Sequence, residues 1–444
     1  MLYSQNYLFL LFFGSGFEFS LLEFLMLFAT LCLFSKSHYF KAYLLVLQSL
    51  YLVHFTFMAY FGVHVRTSDI YLFFTHIAET FETLGTLYEV GLYPLFVVGV
   101  TSFVAMSMGY KKSNISPILL SLFLVFSFWF QEKLHDASLL LIKESVKTIF
   151  LQKGQGAIQK SDGGQKTALY QRDNNIILVL GESMRSREHL KERYELFENY
   201  NYKTILSGAT NTDVAVPLLL NGALSPKTLD LQNNLFLLAK QNGYKTTFFT
   251  TQSQKSLQYI APYLSTEHID TFKVAGSRDD KELLAHLKTL SLDEKSFIVL
   301  QMQGEHSPYI YYENANRSDS IEKRYHLSML YSDAILRQLM AYVSSHSTKP
   351  YLFIFVSDHG EMLGEEGKTG HNRFEKEIYS VPLVIHSNLE THIEKILSHY
   401  DIYELVYHYL GYTKEFQPSE KKTVRVYGTM MSEEDGYRDI DLQR

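Results

Sequence analysis

The apolar residues of this chain are not spread evenly along it, and that asymmetry limits what it can fold into. Up to about residue 133 the sequence is dense in Phe, Leu, Tyr and Val, and beyond it runs an ordinary soluble mixture. One water-soluble core would draw on both halves, so 444 residues of two materials imply separate domains in separate solvents. The net charge is -6 and no Lys/Arg block stands out, which sets nucleic-acid binding aside. The one cysteine, Cys32, lies in the apolar half, so an intrachain disulfide and a cysteine-based zinc cluster are both excluded.

A hydrocarbon core about 30 Å thick is crossed by roughly 20 apolar residues in a helix. Leu21 to Phe34, Tyr43 to Val63, Val90 to Met108 and Ile118 to Phe130 meet or approach that length, whereas Leu8 to Phe13 is too short to span alone. Glu18 and Glu23 would each cost about 2.5 to 3.5 kcal/mol at a bilayer centre, so the stretch between the first two apolar runs is expected at a surface. Lys36, Lys41, Lys111 and Lys112 mark two loops, while His64 to Glu89 sets Arg66 against Asp69, Glu79, Glu82 and Glu89. The positive-inside rule then puts the lysine loops in the cytoplasm and everything after the last span outside. Three regions are expected: transmembrane helices over 1–133, a bridge over 134–174 and a soluble domain over 175–444. In the bridge, "ASLLLIKESVKTIFLQ" has the spacing of an amphipathic helix on a membrane surface or of a plain linking helix, and "KGQGAIQKSDGGQK" reads as a flexible tether.

From Asn175 the chain repeats a short apolar run followed by an amphipathic segment. "IILVLG" (Ile176 to Gly181), "TTFFTT" (Thr246 to Thr251), "FIVLQM" (Phe297 to Met302), "LFIFVS" (Leu352 to Ser357) and "PLVIHS" (Pro382 to Ser387) read as buried strands. The alternation predicts an α/β fold with a mostly parallel sheet covered by helices on both faces. Such sheets bind ligands beyond the carboxyl ends of their strands. Glu182 follows the first run, Glu305 and His306 the third, and Asp358 and His359 the fourth. Singly, each has a mundane reading as a cap or loop residue; jointly they read as a site. Glu, Asp and His are ligands suited to Zn²⁺ or Mn²⁺, with a substrate or nucleophile oxygen completing the set. "SGATNTDVAVPLLLNG" offers Thr210 and Thr212 just ahead of an expected short helix, where backbone N–H groups favour a phosphoryl group. Ordinary capping is the other reading, and composition does not choose between the threonines.

"NNIILVLGESMRSREH", "GATNTDVAVP", "GEHSPYIYYENAN", "YHLSMLYSDAIL" and "SDHGEMLGEEG" with the later "GH" stand in the order found in membrane-anchored phosphoethanolamine transferases of the alkaline-phosphatase and sulfatase superfamily. The resemblance covers the soluble half and extends weakly to "FGVHVRTSDIYLFFTHIAET". It implies N-terminal transmembrane helices followed by a sulfatase-like domain, multi-pass in a bacterial inner membrane with the catalytic domain in the periplasm. It implies Glu182, Thr212, Asp358 and His359 as ligands of Zn²⁺ (Mn²⁺ in the alternative), and Thr212, ahead of Pro217, as nucleophile. His306 and His371 match histidines that bind the phosphoryl group and handle protons, and Lys255 matches a donor-headgroup contact. The implied reaction is ping-pong: phosphatidylethanolamine loads Thr212, diacylglycerol leaves, and lipid A or another surface glycan accepts the group.

The chain departs from the family in having no periplasmic disulfide, a short first apolar run against the usual five spans, and Asp213 and Ala215 in the nucleophile segment. A formylglycine sulfatase would need a C/S-x-P-x-R context that the nucleophile segment lacks. The rival enzymes are a phosphoglycerol transferase of the lipoteichoic-acid-synthase type and a metal-dependent phosphodiesterase; the rival outside enzymes is a silent envelope scaffold.

Overall fold

The computed structural model describes residues 2–12, 20–35, 39–75, 88–107, 115–130, 134–151, 166–190, 196–419, 421–433 and 435–442. The chain divides into two compact units, Met1–Gly154 with Gly364–Thr369, and Gln155–Leu363 with Gly370–Arg444.

The first unit is helical. Its described helices are α1 (Ser4–Phe12), α2 (Leu21–Phe34), α3 (Phe40–Phe61), α4 (Thr67–Thr75), α5 (Leu92–Ser107), α6 (Pro117–Phe130) and α7 (Ala137–Leu151). Among the described residues α3 alone is long and apolar enough to cross a membrane. With 14 to 16 residues each, α2, α5 and α6 fall short, since at 1.5 Å per residue they extend only about 21 to 24 Å. The four apolar runs read from the sequence fall on α2, α3, α5 and α6, of which α3 alone among the described helices has full spanning length. Lys36, Lys111, Lys112, Glu18, Glu79, Glu82 and most of the tether lie outside the described residues.

Glu23, at the start of α2, is fully buried within the helical unit. Its carboxylate accepts the backbone N–H of His135 at 2.9 Å and of Asp136 at 2.7 Å, immediately before α7. Asp136 in turn caps α7, accepting from the N–H groups of Ser138 and Leu139 at 3.1 Å each. Hydrogen bonds to a charged acceptor offset the desolvation that the insertion argument counted against it. The segment "ASLLLIKESVKTIFLQ" forms α7, with Leu139 and Leu141 buried and Ile142, Val146 and Ile149 exposed.

The second unit is built on seven strands: β1 (Asn175–Gly181), β2 (Asn201–Leu206), β3 (Lys245–Thr250), β4 (Thr271–Val274), β5 (Ser296–Gln301), β6 (Tyr351–Ser357) and β7 (Ser380–Ser387). They lie in the order β2-β7-β6-β1-β5-β3-β4. All pairings are parallel except those of β7, which runs against both β2 and β6. The period of two along β1 divides the core: Ile176, Leu178 and Leu180 pack on one face, Ile177 and Val179 on the other. Helices α8 (Thr212–Asn221), α9 (Leu235–Gln241), α10 (Gln254–Ile260) and α13 (His399–Tyr409) join the first face, while α11 (Lys281–Leu287) and α12 (Ile321–His346) cover the second. Each fully buried Leu or Ile stabilises by about 1.5 to 3 kcal/mol, which fixes these runs inside. The edge strand β2, "NYKTIL", is half exposed and carries no apolar run, so sequence reasoning passed over it.

Candidate active site

Strand register brings the site together. Gly181 at the end of β1 pairs with Ser357 at the end of β6, so the next residues, Glu182 and Asp358, leave the sheet side by side. The N–H of Asp358 donates to the Gly181 carbonyl at 3.1 Å and continues that pairing past the sheet edge. Asp358 Oδ1 accepts the N–H of Ser183 at 3.0 Å and of His359 at 2.7 Å, which leaves Oδ2 aimed outward.

Thr212 meets that outward oxygen. Its hydroxyl lies 2.6 Å from Asp358 Oδ2, 2.9 Å from Glu182 Oε2 and 3.3 Å from His359 Nε2. The His359 Nδ1–H donates to the Gly360 carbonyl at 2.9 Å, so Nε2 is the nitrogen presented to the cluster. Thr212 is the first residue of α8, and the cap is Asn211, whose side chain accepts the Asp213 N–H at 2.8 Å. Neither threonine therefore caps the helix, and the Thr210 side chain is buried with its hydroxyl outside the cluster.

One ligand atom from each of Glu182, Asp358 and His359 lies within 4.8 Å of the others, and all three residues are buried. Burial, with the Glu182 charge alongside, pushes the Asp358 carboxyl up to about 7, against the pull of His359. Burial works against the Glu182 anion too, but the His359 hydrogen bond and charge hold this carboxyl below the usual range. The His359 imidazole, penalised by burial, is carried up to about 10 by the two carboxylates. Two buried acids thus depend on one imidazolium. The donor set of two carboxylates, an imidazole nitrogen and a hydroxyl, short of positive charge, fits a Zn²⁺ ion.

The remaining expected residues divide. The His371 ring lies 4.4 Å from the His359 ring, and its Nδ1 faces Glu361 Oε2 at 3.3 Å. His306 follows a turn stitched to Glu182 by the Glu305 N–H, which donates to the Glu182 carbonyl at 3.0 Å, and its own Nδ1–H donates to the Ser307 carbonyl at 2.7 Å. Glu305 turns away: its carboxyl is buried, accepts the Ser332 hydroxyl at 2.8 Å and is pushed well above the carboxylate range by burial. Lys255 is exposed on the first turn of α10 and is not drawn into the cluster.

Two contacts escaped sequence reasoning. Gln252, past the end of β3, donates to Glu182 Oε2 at 2.7 Å. Ser183 Oγ donates to Glu182 Oε1 at 2.8 Å. Between them they orient both carboxylate oxygens. Only the position of Gln252 one residue beyond an apolar run, like that of the other strand-end residues, signalled it.

The sulfatase family model matches residues 174–413, more than half of the chain and all of the strand ends just described. The chain belongs to the sulfatase family. This sulfatase-family chain is 22% identical over 251 residues to the phosphoethanolamine transferase EptA of Helicobacter pylori, covering 48% of the chain and 47% of that protein. It therefore spans about half the length of the curated relative it matches. It is similar in fold to the integral membrane lipooligosaccharide phosphoethanolamine transferase A (EptA) of Neisseria meningitidis, with a TM-score of 0.60 at 14% identity over 85% of each chain. A second likeness, TM-score 0.50 at 16% identity, is to the C-terminal periplasmic domain of EcEptC from Escherichia coli in complex with Zn, over 64% of this chain and 96% of that one. The α/β domain with its mostly parallel sheet, preceded by helices, agrees with the architecture expected from the sequence.

Proposed function

We propose that this chain transfers phosphoethanolamine from phosphatidylethanolamine to an envelope glycolipid, lipid A or another surface glycan, through a covalent intermediate on Thr212 at a zinc site. The observation that carries the reading is the Thr212 hydroxyl held between Asp358, Glu182 and His359 at the start of a helix. Similarity to phosphoethanolamine transferases supports the group transferred, and the zinc complex of the Escherichia coli domain supports the metal.

Glu182, Asp358, His359 and Thr212 would hold the ion. A bound Zn²⁺ supplies the charge that lowers the pKa of a hydroxyl and offsets charge on a phosphoryl group. Asp358 Oδ2 and Glu182 Oε2 receive the Thr212 hydroxyl hydrogen bond and orient its oxygen. The N–H groups at the start of α8 favour the anionic phosphoryl group beside that oxygen. The Thr212 hydroxyl proton passes to Asp358 Oδ2 as its oxygen forms a bond to phosphorus, the bond to the diacylglycerol oxygen breaks, and that oxygen takes a proton; in the second half the proton held by Asp358 returns to Thr212. His306 or His371 gives the diacylglycerol oxygen its proton: each has Nδ1 engaged, at the Ser307 carbonyl and at Glu361 respectively, and so presents Nε2. The acceptor oxygen then attacks phosphorus and Thr212 leaves with its hydroxyl restored. Sulfate-ester chemistry on a formylglycine has no precursor here, since Thr212 occupies the nucleophile position.

The helical unit, with α3 long enough to span, anchors the domain at the membrane that holds both lipid substrates, with the catalytic unit on the periplasmic side. The test is the intact mass of the detergent-purified chain after incubation with phosphatidylethanolamine or, separately, phosphatidylglycerol, with the modified peptide located by fragmentation. A phosphoethanolamine adduct on Thr212 is expected. A phosphoglycerol adduct would move the chain to the lipoteichoic-acid-synthase type, and no adduct from either lipid would overturn transfer through Thr212.

A further inference from the structure

The loop carrying Thr212 begins at the end of β2, and Asp358 follows β6. These strands are not neighbours, because β7 lies between them. Both pair with β7, so the sheet holds them about 9 to 10 Å apart and no sheet hydrogen bond joins them directly. Something else must hold the Thr212 hydroxyl 2.6 Å from Asp358 Oδ2.

His399, the first residue of α13, reaches across this gap. Its imidazole is 1% exposed. Nδ1 lies 3.3 Å from the N–H of Gly208, at the root of the Thr212 loop, and Nε2 lies 2.9 Å from the carbonyl of Ser357, the residue before Asp358. A backbone N–H only donates and a carbonyl only accepts, so both contacts are met by one form alone: the neutral imidazole with its proton on Nε2. A doubly protonated ring would set two N–H groups against each other at Gly208. The ring's own position is fixed by the capping box of α13, in which Ser398 and Asp401 hold the helix start. Ser207 makes a second, shorter link, its hydroxyl donating to the Asp358 carbonyl and accepting the Ala209 N–H at 3.2 Å.

We infer that His399 is a positioning residue: its neutral ring clamps the Thr212 loop to the end of β6 and so sets the geometry between the nucleophile and the metal-binding carboxylate. The inference rests on the proposed role of Thr212 for its kinetic consequence, but its effect on zinc binding stands apart from any lipid. The clamp acts on placement and touches neither substrate nor reacting atoms. Its loss therefore lowers the rate of adduct formation and weakens zinc binding without changing the lipid concentration needed for half-maximal rate.

The experiment compares the full detergent-purified chain with His399→Leu, which keeps bulk without hydrogen bonds, and His399→Gln, which keeps a donor and an acceptor. Zinc affinity is read by competition with a chromogenic chelator. Adduct formation is read by intact mass in a single turnover with phosphatidylethanolamine. The leucine variant is expected to weaken zinc binding and slow the adduct by about tenfold or more each, the scale seen when groups behind a metal ligand are removed, with the glutamine variant recovering most of both. Wild-type rate and zinc affinity in a folded leucine variant would overturn the inference. Should the leucine variant not fold, His399→Asn, too short to reach both partners, is read the same way, and unchanged values there would also overturn it. If the wild-type chain forms no adduct, the transfer reading fails by itself, and zinc affinity alone decides on His399.

Discussion

Thr212 Oγ1 stands 2.6 Å from Asp358 Oδ2, although 146 residues and an intervening strand separate them. Thr212 and the strand-end residues Glu182, Asp358 and His359 come from different parts of the chain and meet only once the sheet is assembled. Each consequence of that meeting can be measured.

Thr212→Ala removes the hydroxyl and leaves the helix cap, since capping belongs to Asn211. The adduct is expected to disappear while the melting temperature stays within about 2 °C, the shift of a surface-scale change below about 0.5 kcal/mol. Intact mass and thermal unfolding of the same sample check both parts, and a labelled alanine variant would remove Thr212 from the mechanism.

Asp358→Asn separates binding from folding. The buried carboxyl is raised to about 7, so its ionised form disfavours the fold, and stability is lost as pH rises from the ordinary carboxylate range through that value. At pH 8 with chelator present, asparagine is expected to melt above the wild type by roughly 2 to 4 °C, equivalent to about 1 kcal/mol. Added zinc should then raise the melting temperature of the wild type and leave the variant unmoved. A chelated variant that melts below the wild type would count against the crowded-acid account.

Gly304 has a φ of +51°, and a Cβ there would approach the backbone nitrogen and oxygen of Glu182 to 3.0 Å. Gly304→Ala is expected to lose about 1 to 3 kcal/mol and to weaken zinc binding, because relief requires moving Glu182. Denaturant unfolding and zinc titration test this, and an alanine variant with unaltered zinc affinity would show that Glu182 does not depend on the turn.

Gln252→Leu removes the amide that donates to Glu182 Oε2. Zinc affinity is expected to fall by about tenfold, a loss that Gln252→Asn does not repair because the shorter amide stops before the carboxylate. Chelator competition gives the result directly.

His399 predicts acid sensitivity. Burial lowers its imidazole to about 4, with the positive charge of His359 acting in the same direction and the Ser357 carbonyl against it. The folded chain therefore binds its proton less readily than the unfolded chain. Its contribution is complete above about pH 6.5 and is lost as pH falls through about 4, to a total of about 3 kcal/mol. In chelator, the stability difference between wild type and His399→Gln should narrow as pH drops from 7 to about 4.5; a constant difference would remove His399 from the acid transition.

Much of this could be read along the chain. The apolar runs at Ile176, Phe297 and Leu352 mark strands because burial on both faces demands unbroken hydrophobic sequence, and Glu182, Asp358 and His359 stand out as polar residues where those runs stop. The dense apolar first half announces helices, though α3 alone among the described ones has full spanning length, and no composition rule showed that Glu23 is buried on the N–H groups before α7. These readings succeed where the cause is local: periodicity and burial act over a few residues.

What the sequence by itself determined was the list of strands and the polar residues at their ends. The tertiary structure decided which of those residues meet. Pairing of Gly181 with Ser357 set Glu182 beside Asp358, Glu305 turned to Ser332, and Gln252 and His399 entered from remote segments. Residues so far apart in the chain come within hydrogen-bond range only through strand order, register and packing, and those depend on the whole fold at once.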